Sequence, residues 1–396
     1  MRRKLDVAIA GGGIGGLTAA LALRARGLNV TVFEQATAFR EIGAGIALGP
    51  NATILLKRIG LDHALEKIRA ANTGLTLFDR CGTVIAESPR ASRRSLSGDA
   101  EGCCVHRAEF VRLLADAQPR GTLHFGHRCI GAEEIGDQVR LTFANGASSE
   151  ADVFVGADGI HSVSQRAIGL HSKPVSEGCM AYRGLIPTER LPWAKDLHSL
   201  KMWIGSDQSF VCFPVSAGHF INIVAFVPTD RDCPESWSAP GDLAALAADY
   251  VGWDDPVLEM IGALDETFRW GIYDRAPLPH WSTARMTLLG DAAHAMVPHF
   301  GQGAGQAIED GFALAVCLEN ADAAQIPSRL KAYERVRLER ASSVQAASRR
   351  AGRFYRLEND SAAQRQRHLA DWMAAGRWIF DYDVEEAARD YLSELA

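Results

Sequence analysis

Residues 7–35 read "VAIAGGGIGGLTAALALRARGLNVTVFEQ", and this stretch decides the fold. An apolar run typical of a buried strand leads into a glycine turn, a segment of helical periodicity follows, and a second strand ends at an acid. Gly11, Gly13 and Gly16 form G-x-G-x-x-G between strand and helix, and Glu34 closes the second strand. A βαβ unit with these features in register predicts a dinucleotide site.

Each residue of this motif has a physical task. Gly11 is expected to make the tight turn, Gly13 to let the backbone approach a pyrophosphate, and Gly16 to allow close contact between helix and strand. The phosphates would lie at the helix N-terminus, where free backbone N–H groups and the helix dipole favour an anion. The carboxylate of Glu34 would accept a hydrogen bond from a ribose hydroxyl. NAD and FAD both suit this pattern.

The next segment argues against a plain dehydrogenase. Such an enzyme continues with further βαβ repeats, whereas residues 40–60, "REIGAGIALGPNATILLKRIG", give a glycine loop and a helix, and hairpin patterns follow. Strand-like runs with short turns then extend from Gly178 to about Trp270. We therefore predict an α/β fold in which a mostly antiparallel sheet is inserted into a Rossmann-like domain.

The predicted organisation has four segments. Residues 1–174 and 281–325 are the two parts of the nucleotide-binding domain, residues 175–280 are a substrate-binding β-sheet domain, and residues 326–396 are C-terminal helices. The arginine-rich tail has helical spacing and mixed charge, which favours solvated helix faces over a nucleic-acid surface.

Composition excludes several classes of function. The chain has 396 residues, 47% of them hydrophobic, with a net charge of −6, so there is no basic field for nucleic acid. No run of about 18 apolar residues predicts a membrane helix. The eight cysteines form no C-x-x-C pair and do not cluster with histidine, which argues against zinc and against a disulfide scaffold. We expect a cytoplasmic protein, either a monomer or a homodimer.

Two further motifs follow apolar runs later in the chain. They read "GADGIHS" at residues 156–162 and "GDAAHAMVPHFGQGAGQAIED" at residues 290–310. Each aspartate taken alone is more often the cap of a turn or helix than a ligand-binding group. A metal site at Asp291, His294 and His299 is the least expected interpretation, because no further ligand stands at useful spacing.

Taken together with "HRAEF" at residues 106–110, these motifs resemble the class A flavoprotein monooxygenases, the FAD-dependent aromatic hydroxylases. Within that family the chain is most similar in its motifs to salicylate hydroxylases and 6-hydroxynicotinate 3-monooxygenases. The resemblance implies a glutathione-reductase-like FAD-binding domain, NADH or NADPH as electron donor and O₂ as co-substrate. The implied reaction is hydroxylation of a small aromatic or heteroaromatic acid through a flavin C4a-hydroperoxide.

The resemblance also implies roles for individual residues. Glu34 would hold the adenosine ribose, Arg107 would contact the ribityl–phosphate region, Asp158 would serve both FAD and the nicotinamide donor, and Asp291 would bind the ribityl chain. The turn at 301–305 would stabilise negative charge on reduced flavin through a helix N-terminus. The implied cofactor-binding residues are Gly11, Gly13, Ile14, Gly15, Gly16, Glu34, Gln35, Arg40, Ala47, Arg107, Ile130, Asp158, Gly159, Gly290, Asp291, Pro298, Gly301, Gly303 and Ala304.

His299 is the candidate catalytic residue, because it directly precedes the glycine turn and would lie beside the reactive edge of the flavin. A structural histidine that supports the loop is an equal alternative. For His294 we favour a structural role. Tyr182, Arg183 and Phe213 are expected to line the substrate cavity, and Arg183 either pairs with a substrate carboxylate or ties the domains together.

Two positions depart from family patterns. Gln165 stands where the family usually has arginine seven residues after Asp158, which bears on recognition of the nicotinamide donor. Ala47 stands where the hydroxynicotinate group has histidine, which favours the salicylate-like branch or a different aromatic acid as substrate. Two alternative functions stay open: a monooxygenase or epoxidase of a larger natural product, and a flavin-binding NADH oxidase without productive hydroxylation.

Overall fold

The computed structural model describes residues 3–39, 44–88, 100–229, 239–355 and 376–395. Its strands are β1 (Asp6–Ala10), β2 (Asn29–Phe33), β3 (Gly45–Leu48), β4 (Ala70–Ala71), β5 (Leu75–Asp79), β6 (Val84–Glu87), β7 (Cys103–His106), β8 (Leu123–His124), β9 (Cys129–Ile135), β10 (Gln138–Phe143), β11 (Ser148–Ala151), β12 (Val153–Gly156), β13 (Val175–Pro187), β14 (Leu200–Ile204), β15 (Ser209–Val215), β16 (Phe220–Pro228), β17 (Ala239–Pro240), β18 (Phe268–Asp274) and β19 (Met286–Leu288).

The helices described here are α1 (Ile14–Ala25), α2 (Pro50–Arg58), α3 (Asp62–Glu66), α4 (Arg107–Asp116), α5 (Ser164–Ala167), α6 (Leu243–Asp249), α7 (Asp255–Gly262), α8 (Asp291–His294), α9 (Gly303–Leu318), α10 (Ile326–Phe354) and a C-terminal helix Val384–Glu394. In the described ranges, no helix combines the length and apolarity needed to cross a lipid bilayer.

A parallel sheet in the order β19-β12-β1-β2-β8 forms the nucleotide-binding part. Its central strands are buried on both faces, which is why β1 and β12 are apolar runs without polar alternation. The register pairs Ala10 with Gly156 and Gly156 with Leu288. Because these three strands end level with one another, the three motifs that follow them meet at the same edge of the sheet.

A mixed sheet in the order β17-β18-β13-β16-β15-β14-β5-β6 forms the second part. Its pairs are antiparallel except for β14 with β5. The strands β5 and β6 precede residue 175, so the sheet recruits chain from outside the predicted insertion. The α/β architecture with an inserted, mostly antiparallel sheet is confirmed, while the exact domain boundaries stay a prediction.

Helix α10 connects the two parts. Leu330, Tyr333 and Ala341 pack into the core around the parallel sheet, whereas Val344 and Ala351 join the core on the inner face of the mixed sheet. The outer face of the mixed sheet packs against α6 and α7 through a separate apolar cluster. The inner face therefore remains directed toward the edge of the parallel sheet, and a cavity lies between them.

Candidate active site

A cavity of about 850 Å³ lies where the three motifs meet and continues under the mixed sheet. This volume is in the range typical of small-molecule and cofactor sites. Most of the predicted site residues line it, namely Gly11, Gly13, Ile14, Gly15, Glu34, Gln35, Ala47, Arg107, Asp158, Gly159, Arg183, Phe213, Gly290, Asp291, Pro298, His299, Gly301, Gly303 and Ala304. Arg40 falls outside the described residues.

The first glycine turn leaves room for a ligand only at Gly13. A Cβ atom on Gly11, whose φ is +114°, would lie 2.2 Å from the carbonyl oxygen of Ala157, and one on Gly16 would lie 2.0 Å from the carbonyl oxygen of Gly11. A Cβ on Gly13 would meet nothing within 4 Å. Gly16 does not line the cavity, because the space beside it is filled by the backbone of the glycine turn, against which α1 packs closely. No side chain caps the first turn of α1, so its N–H groups suit a phosphate.

Glu34 is fixed at the cavity edge by two backbone donors. Its Oε2 accepts a hydrogen bond from the N–H of Gly12 at 2.7 Å, and its Oε1 accepts one from the N–H of Ala36 at 2.7 Å. A carboxylate has about four acceptor sites, so lone pairs remain for the hydroxyl groups of a ribose.

Beyond Glu34, the predicted contact at Ile130 is wrong by one residue. Cys129 lines the cavity together with His127 and Arg128, whereas Ile130 lies outside it and is 51% exposed. Adjacent residues in a strand point to opposite faces, and β9 begins at Cys129. The alternation therefore accounts for the difference between Cys129, which faces the cavity, and its neighbour Ile130, which does not.

Asp158 lines the cavity and also caps its own loop. Its carboxylate accepts hydrogen bonds from the hydroxyl of Ser162 at 2.6 Å, the N–H of Val163 at 2.8 Å and the N–H of Ser164 at 3.0 Å. The carboxylate of Asp158 therefore acts as a cap of its own loop, the role that an aspartate in such a sequence most often has. All residues of its loop from 157 to 161 line the cavity.

Gln165, the position that departs from the family pattern, is buried. Its Nε2 donates to the carbonyl oxygen of Ala292 at 2.6 Å, and its Oε1 accepts from the hydroxyl of Ser172 at 2.9 Å. It therefore connects the loop of Asp158 with the helix of Asp291. Gln165 is thus an interior structural link and does not line the cavity.

Arg107 and Asp291 face the middle of the cavity. The side chain of Asp291 is open to the cavity, but protein surrounds it on the other sides. This burial raises the pKa of its carboxyl, while the charges of His294 and Arg107 lower it. Burial lowers the pKa of Arg107, and the charges of Asp291 and Glu34 oppose that shift. The positively charged guanidinium of Arg107 and the hydrogen-bond-accepting carboxylate of Asp291 thus lie between the glycine turn and the third motif.

The third motif ends in a second glycine turn. Gly301 adopts φ +62°, a left-handed conformation that favours glycine, and a Cβ there would lie 3.8 Å from the Cβ of Ala47. Gly303 and Ala304 begin α9 and line the cavity, and no side chain caps this helix. A second helix N-terminus consequently faces the same cavity.

In the strands of the mixed sheet, alternate residues point to the inner face and toward the cavity. Arg183, Val211, Phe213 and Val224 line the cavity. The prediction for Tyr182 is wrong, because this residue points to the outer face, where it packs in the cluster with α6 and α7. The alternation of a strand places neighbours on opposite faces, so only one of the adjacent Tyr182 and Arg183 can reach the cavity.

Several lining residues escaped the sequence prediction. They come from strands and from the end of α10, and they are Leu75, Leu200, Met202, Phe226, Trp270 and Tyr355. The strand phase set by Arg183 and Phe213 is the signal that could have found Phe226. Leu75 carried no such signal, because its strand joins the sheet from a distant part of the sequence.

Arg183 is the cation of the sheet-walled half of the cavity in the described chain. It is 4% exposed, and its guanidinium carbon lies 5.5 Å from the ring centroid of Trp270. Burial, together with the nearby charge of Arg107, lowers the pKa of Arg183 to about 10. An anion that enters the cavity would offset this cost of burying the guanidinium charge.

His299 is held between the mixed sheet and α10. Its ring centroid lies 4.8 Å from that of Phe226 and 6.2 Å from that of Tyr355. His294 lies outside the cavity, where its Nε2 bonds to the carboxylate of Asp310 at 2.6 Å. Within the described ranges, no group of three or more His, Cys, Asp or Glu residues is arranged to hold a metal.

Comparison with known proteins adds the family context. Residues 4–348 match a family model described as an FAD binding domain. A 3-amino-4-hydroxybenzoate 2-monooxygenase of Streptomyces platensis is 39% identical, with 96% of each chain covered. A salicylate hydroxylase of Pseudomonas putida is 34% identical, with 96% of this chain and 93% of the relative covered. A solved salicylate hydroxylase substrate complex superimposes with a TM-score of 0.85 at 30% identity, and 98% of each chain is covered.

Proposed function

Because the chain belongs to the FAD-dependent aromatic monooxygenases, we propose that its substrate is a small hydroxybenzoate held between Arg183 and His299. The observation that carries this proposal is the buried guanidinium of Arg183 in an otherwise largely apolar, sheet-walled half of the cavity. A carboxylate is the group that such a guanidinium binds best, through charge-assisted and often bidentate hydrogen bonds.

The cavity residues fit FAD as the cofactor. Gly13 leaves open space for a pyrophosphate, Glu34 has acceptor sites for a ribose, and Arg107 with Asp291 serves the region between phosphate and ring. The turn at Gly301 would hold the pyrimidine edge of the flavin. Bound FAD supplies the redox chemistry, being reduced by NADH or NADPH and then activating O₂.

The chain's own contribution is positioning, exclusion of water and control of one proton. Residues such as Phe213, Val224 and Trp270 form apolar walls that keep water away from the ring of the substrate. His299 would accept the proton of the ring hydroxyl at Nδ1 or Nε2. Loss of that proton makes the ring richer in electrons and so a better acceptor of an electrophilic oxygen.

The sheet register favours a substrate whose hydroxyl lies para to its carboxylate. Phe226, which packs on His299, pairs with Ala181 in β13, and Arg183 stands two residues further along the same face. Two residues of a strand span about 7 Å. This is the spacing of the backbone positions, and we infer from it that Arg183 and His299 act on well-separated ends of a benzene ring, as para substituents are, and not on two adjacent substituents. The 3-amino-4-hydroxybenzoate for which the Streptomyces relative is named also carries its hydroxyl para to the carboxylate.

A substrate panel tests the proposal. The purified protein is assayed with 4-hydroxybenzoate, 3-amino-4-hydroxybenzoate, salicylate and 6-hydroxynicotinate, and both NAD(P)H oxidation and product formation are measured with each. We expect coupled hydroxylation of a para-hydroxylated acid. Hydroxylation of salicylate with no turnover of the para compounds contradicts the proposal. NAD(P)H oxidation that yields only hydrogen peroxide with every acid supports the oxidase alternative instead.

We propose further that the enzyme works in the cytoplasm as a monomer or homodimer. Its negative net charge and the small size of the expected substrate support a diffusible enzyme that needs no macromolecular partner. Size-exclusion chromatography with light scattering measures the oligomeric state, and a larger assembly contradicts this part of the proposal.

A further inference from the structure

A cluster of buried charged side chains lies directly behind the turn that carries Asp291. Asp310, in α9, is fully buried, and its Oδ2 accepts hydrogen bonds from the N–H of Gly290 at 2.8 Å and from Nε2 of His294 at 2.6 Å. Its Oδ1 accepts a hydrogen bond from Nε of Arg337 at 2.8 Å. Its three protein partners therefore come from the turn, from α8 and from α10.

These contacts hold both ends of one short segment. Gly290 precedes α8 in a left-handed conformation with φ +60°, and His294 is the last residue of α8. Asp291 is the first residue of that helix and faces the cavity. A single carboxylate oxygen of Asp310 therefore anchors the residue before Asp291 and the residue that closes its helical turn.

We propose that Asp310 is a positioning residue, which fixes the turn at Gly290 and His294 so that the Asp291 carboxylate points at the ribityl chain of FAD. Asp310 does not line the cavity, so it acts on the cofactor only through Asp291. The proposal rests on the placement of FAD given above.

The remainder of the cluster keeps Asp310 in place and supplies a matched control. Glu309, the preceding residue, accepts hydrogen bonds from Arg337 at 2.6 Å, from Arg340 at 2.7 and 2.8 Å and from Asn51 at 2.6 Å. It is as deeply buried as Asp310 and shares Arg337 with it. The hydrogen bonds of Glu309 do not include the turn of Asp291. Its neutralisation therefore disturbs the same cluster without acting on that turn.

The test measures the rate of FAD release from the holoenzyme on dilution, followed by the rise in flavin fluorescence. Asp310→Asn is compared in two backgrounds, the natural chain and Asp291→Ala. We expect Asp310→Asn to accelerate release about tenfold or more in the natural chain, as for a lost charged hydrogen bond. In the Asp291→Ala background, we expect less than a threefold change. For Glu309→Gln, the fold-change should be the same in both backgrounds.

Equal acceleration by Asp310→Asn in both backgrounds overturns the proposal, because Asp310 would then act on general stability. An unchanged release rate in Asp291→Ala alone also overturns it, since Asp291 would not contact FAD, and this result is independent of the substrate panel. If Asp310→Asn does not fold, His294→Gln removes one of the two anchors. It should show the same dependence on Asp291, and equal effects in both backgrounds count against the proposal.

Discussion

Gly352 lies so close to His299 that a Cβ atom at position 352 would come within 2.3 Å of the ring Cδ2. Because Gly352 belongs to α10, this contact fixes how closely the helix approaches the imidazole of His299 beside the cavity. Gly352→Ala must displace the ring, and misplacement of a reacting group by about 1 Å can cost about a hundredfold in rate. We expect at least a tenfold loss of hydroxylation, measured as product formed per minute at saturating substrate.

Gly262→Ala is the matched control for that substitution, because a Cβ at position 262 meets nothing within 4 Å. Alanine is the better helix former by about 1 kcal/mol, so neither change should weaken a helix through propensity. If the two variants keep the same hydroxylation rate, the position of His299 has no bearing on turnover.

His299→Ala tests the proton-acceptor role itself. We expect the hydroxylation rate with 4-hydroxybenzoate to fall by about a hundredfold, the usual loss of a general base. A fluorinated hydroxybenzoate whose ring hydroxyl is already ionised at the assay pH should lose much less. Product formation with the two substrates is measured across pH. An equal loss with both would assign His299 a packing role.

Arg183→Gln tests carboxylate binding. Removal of a charged hydrogen bond costs about 1.5–3 kcal/mol, so we expect the KM for the hydroxybenzoate to rise by about ten- to a hundredfold. The same variant should bind a phenol that lacks the carboxylate as well as the natural chain does. Reduced affinity for both ligands indicates a structural arginine that ties the two sheets together.

Glu34→Gln tests the ribose end of the FAD site. The amide keeps one acceptor oxygen, but it cannot accept from both the N–H of Gly12 and the N–H of Ala36 as the carboxylate does. We expect FAD release to accelerate by about tenfold or more. The control is Glu150→Gln, which removes a charge from the exposed pair with Arg140 and should leave the release rate unchanged.

The stability of the protein should fall in acid because of Asp310. Burial opposes its ionisation, but His294 and Arg337 overcome that effect and hold the pKa of Asp310 at about 2, below its ordinary value of 3.8. Since the folded state has the lower pKa, the ionised group stabilises the fold above about pH 4 and this contribution is lost toward pH 2. The difference corresponds to about 2 kcal/mol.

Thermal unfolding measured from pH 6 to pH 2 tests this effect. The natural chain should lose melting temperature more steeply over that window than Asp310→Asn, which has no proton to take up at this position. Parallel curves for the two proteins would mean that other carboxylates govern the response to acid.

The sequence predicted the features that depend on local pattern. The glycine turn at Gly11, the acid at Glu34 and the strand ends at Gly156 and Leu288 each have a signal within a few residues. Parallel strands present their carboxyl ends at one edge, which is why the motifs that follow these strands meet. The structure brings them together in register.

The errors arose where a one-residue phase decides the outcome. Ile130 and Tyr182 were chosen for strands that do line the cavity, but Cys129 and Arg183 hold the inward positions. A shift of one residue moves a strand side chain to the opposite face. Periodicity within a short strand did not reveal which face is inward.

The buried charges could not be paired from sequence for a different reason. Arg337 and Arg340 stand three residues apart, which places them on one side of a helix, but their partners Glu309 and Asp310 lie on another helix about thirty residues earlier. Only the packing of α9 against α10 brings them together. The amphipathic tail was therefore predicted as a solvated surface, although Arg337 lies in the interior.

The order of strands in the parallel sheet sets a schedule for making the protein. The glycine turn at Gly11 leaves the ribosome before the other two motifs, but on one side of β1 the sheet continues with β12 and then with β19, which are translated much later. Pairing over such sequence separations is slow, because long loops must close before the contacts form. The edge that receives the cofactor cannot be complete until Met286–Leu288 has been translated. We therefore expect FAD to bind late in biosynthesis, and we expect the nascent chain to expose an unfinished sheet edge to chaperones and proteases until then.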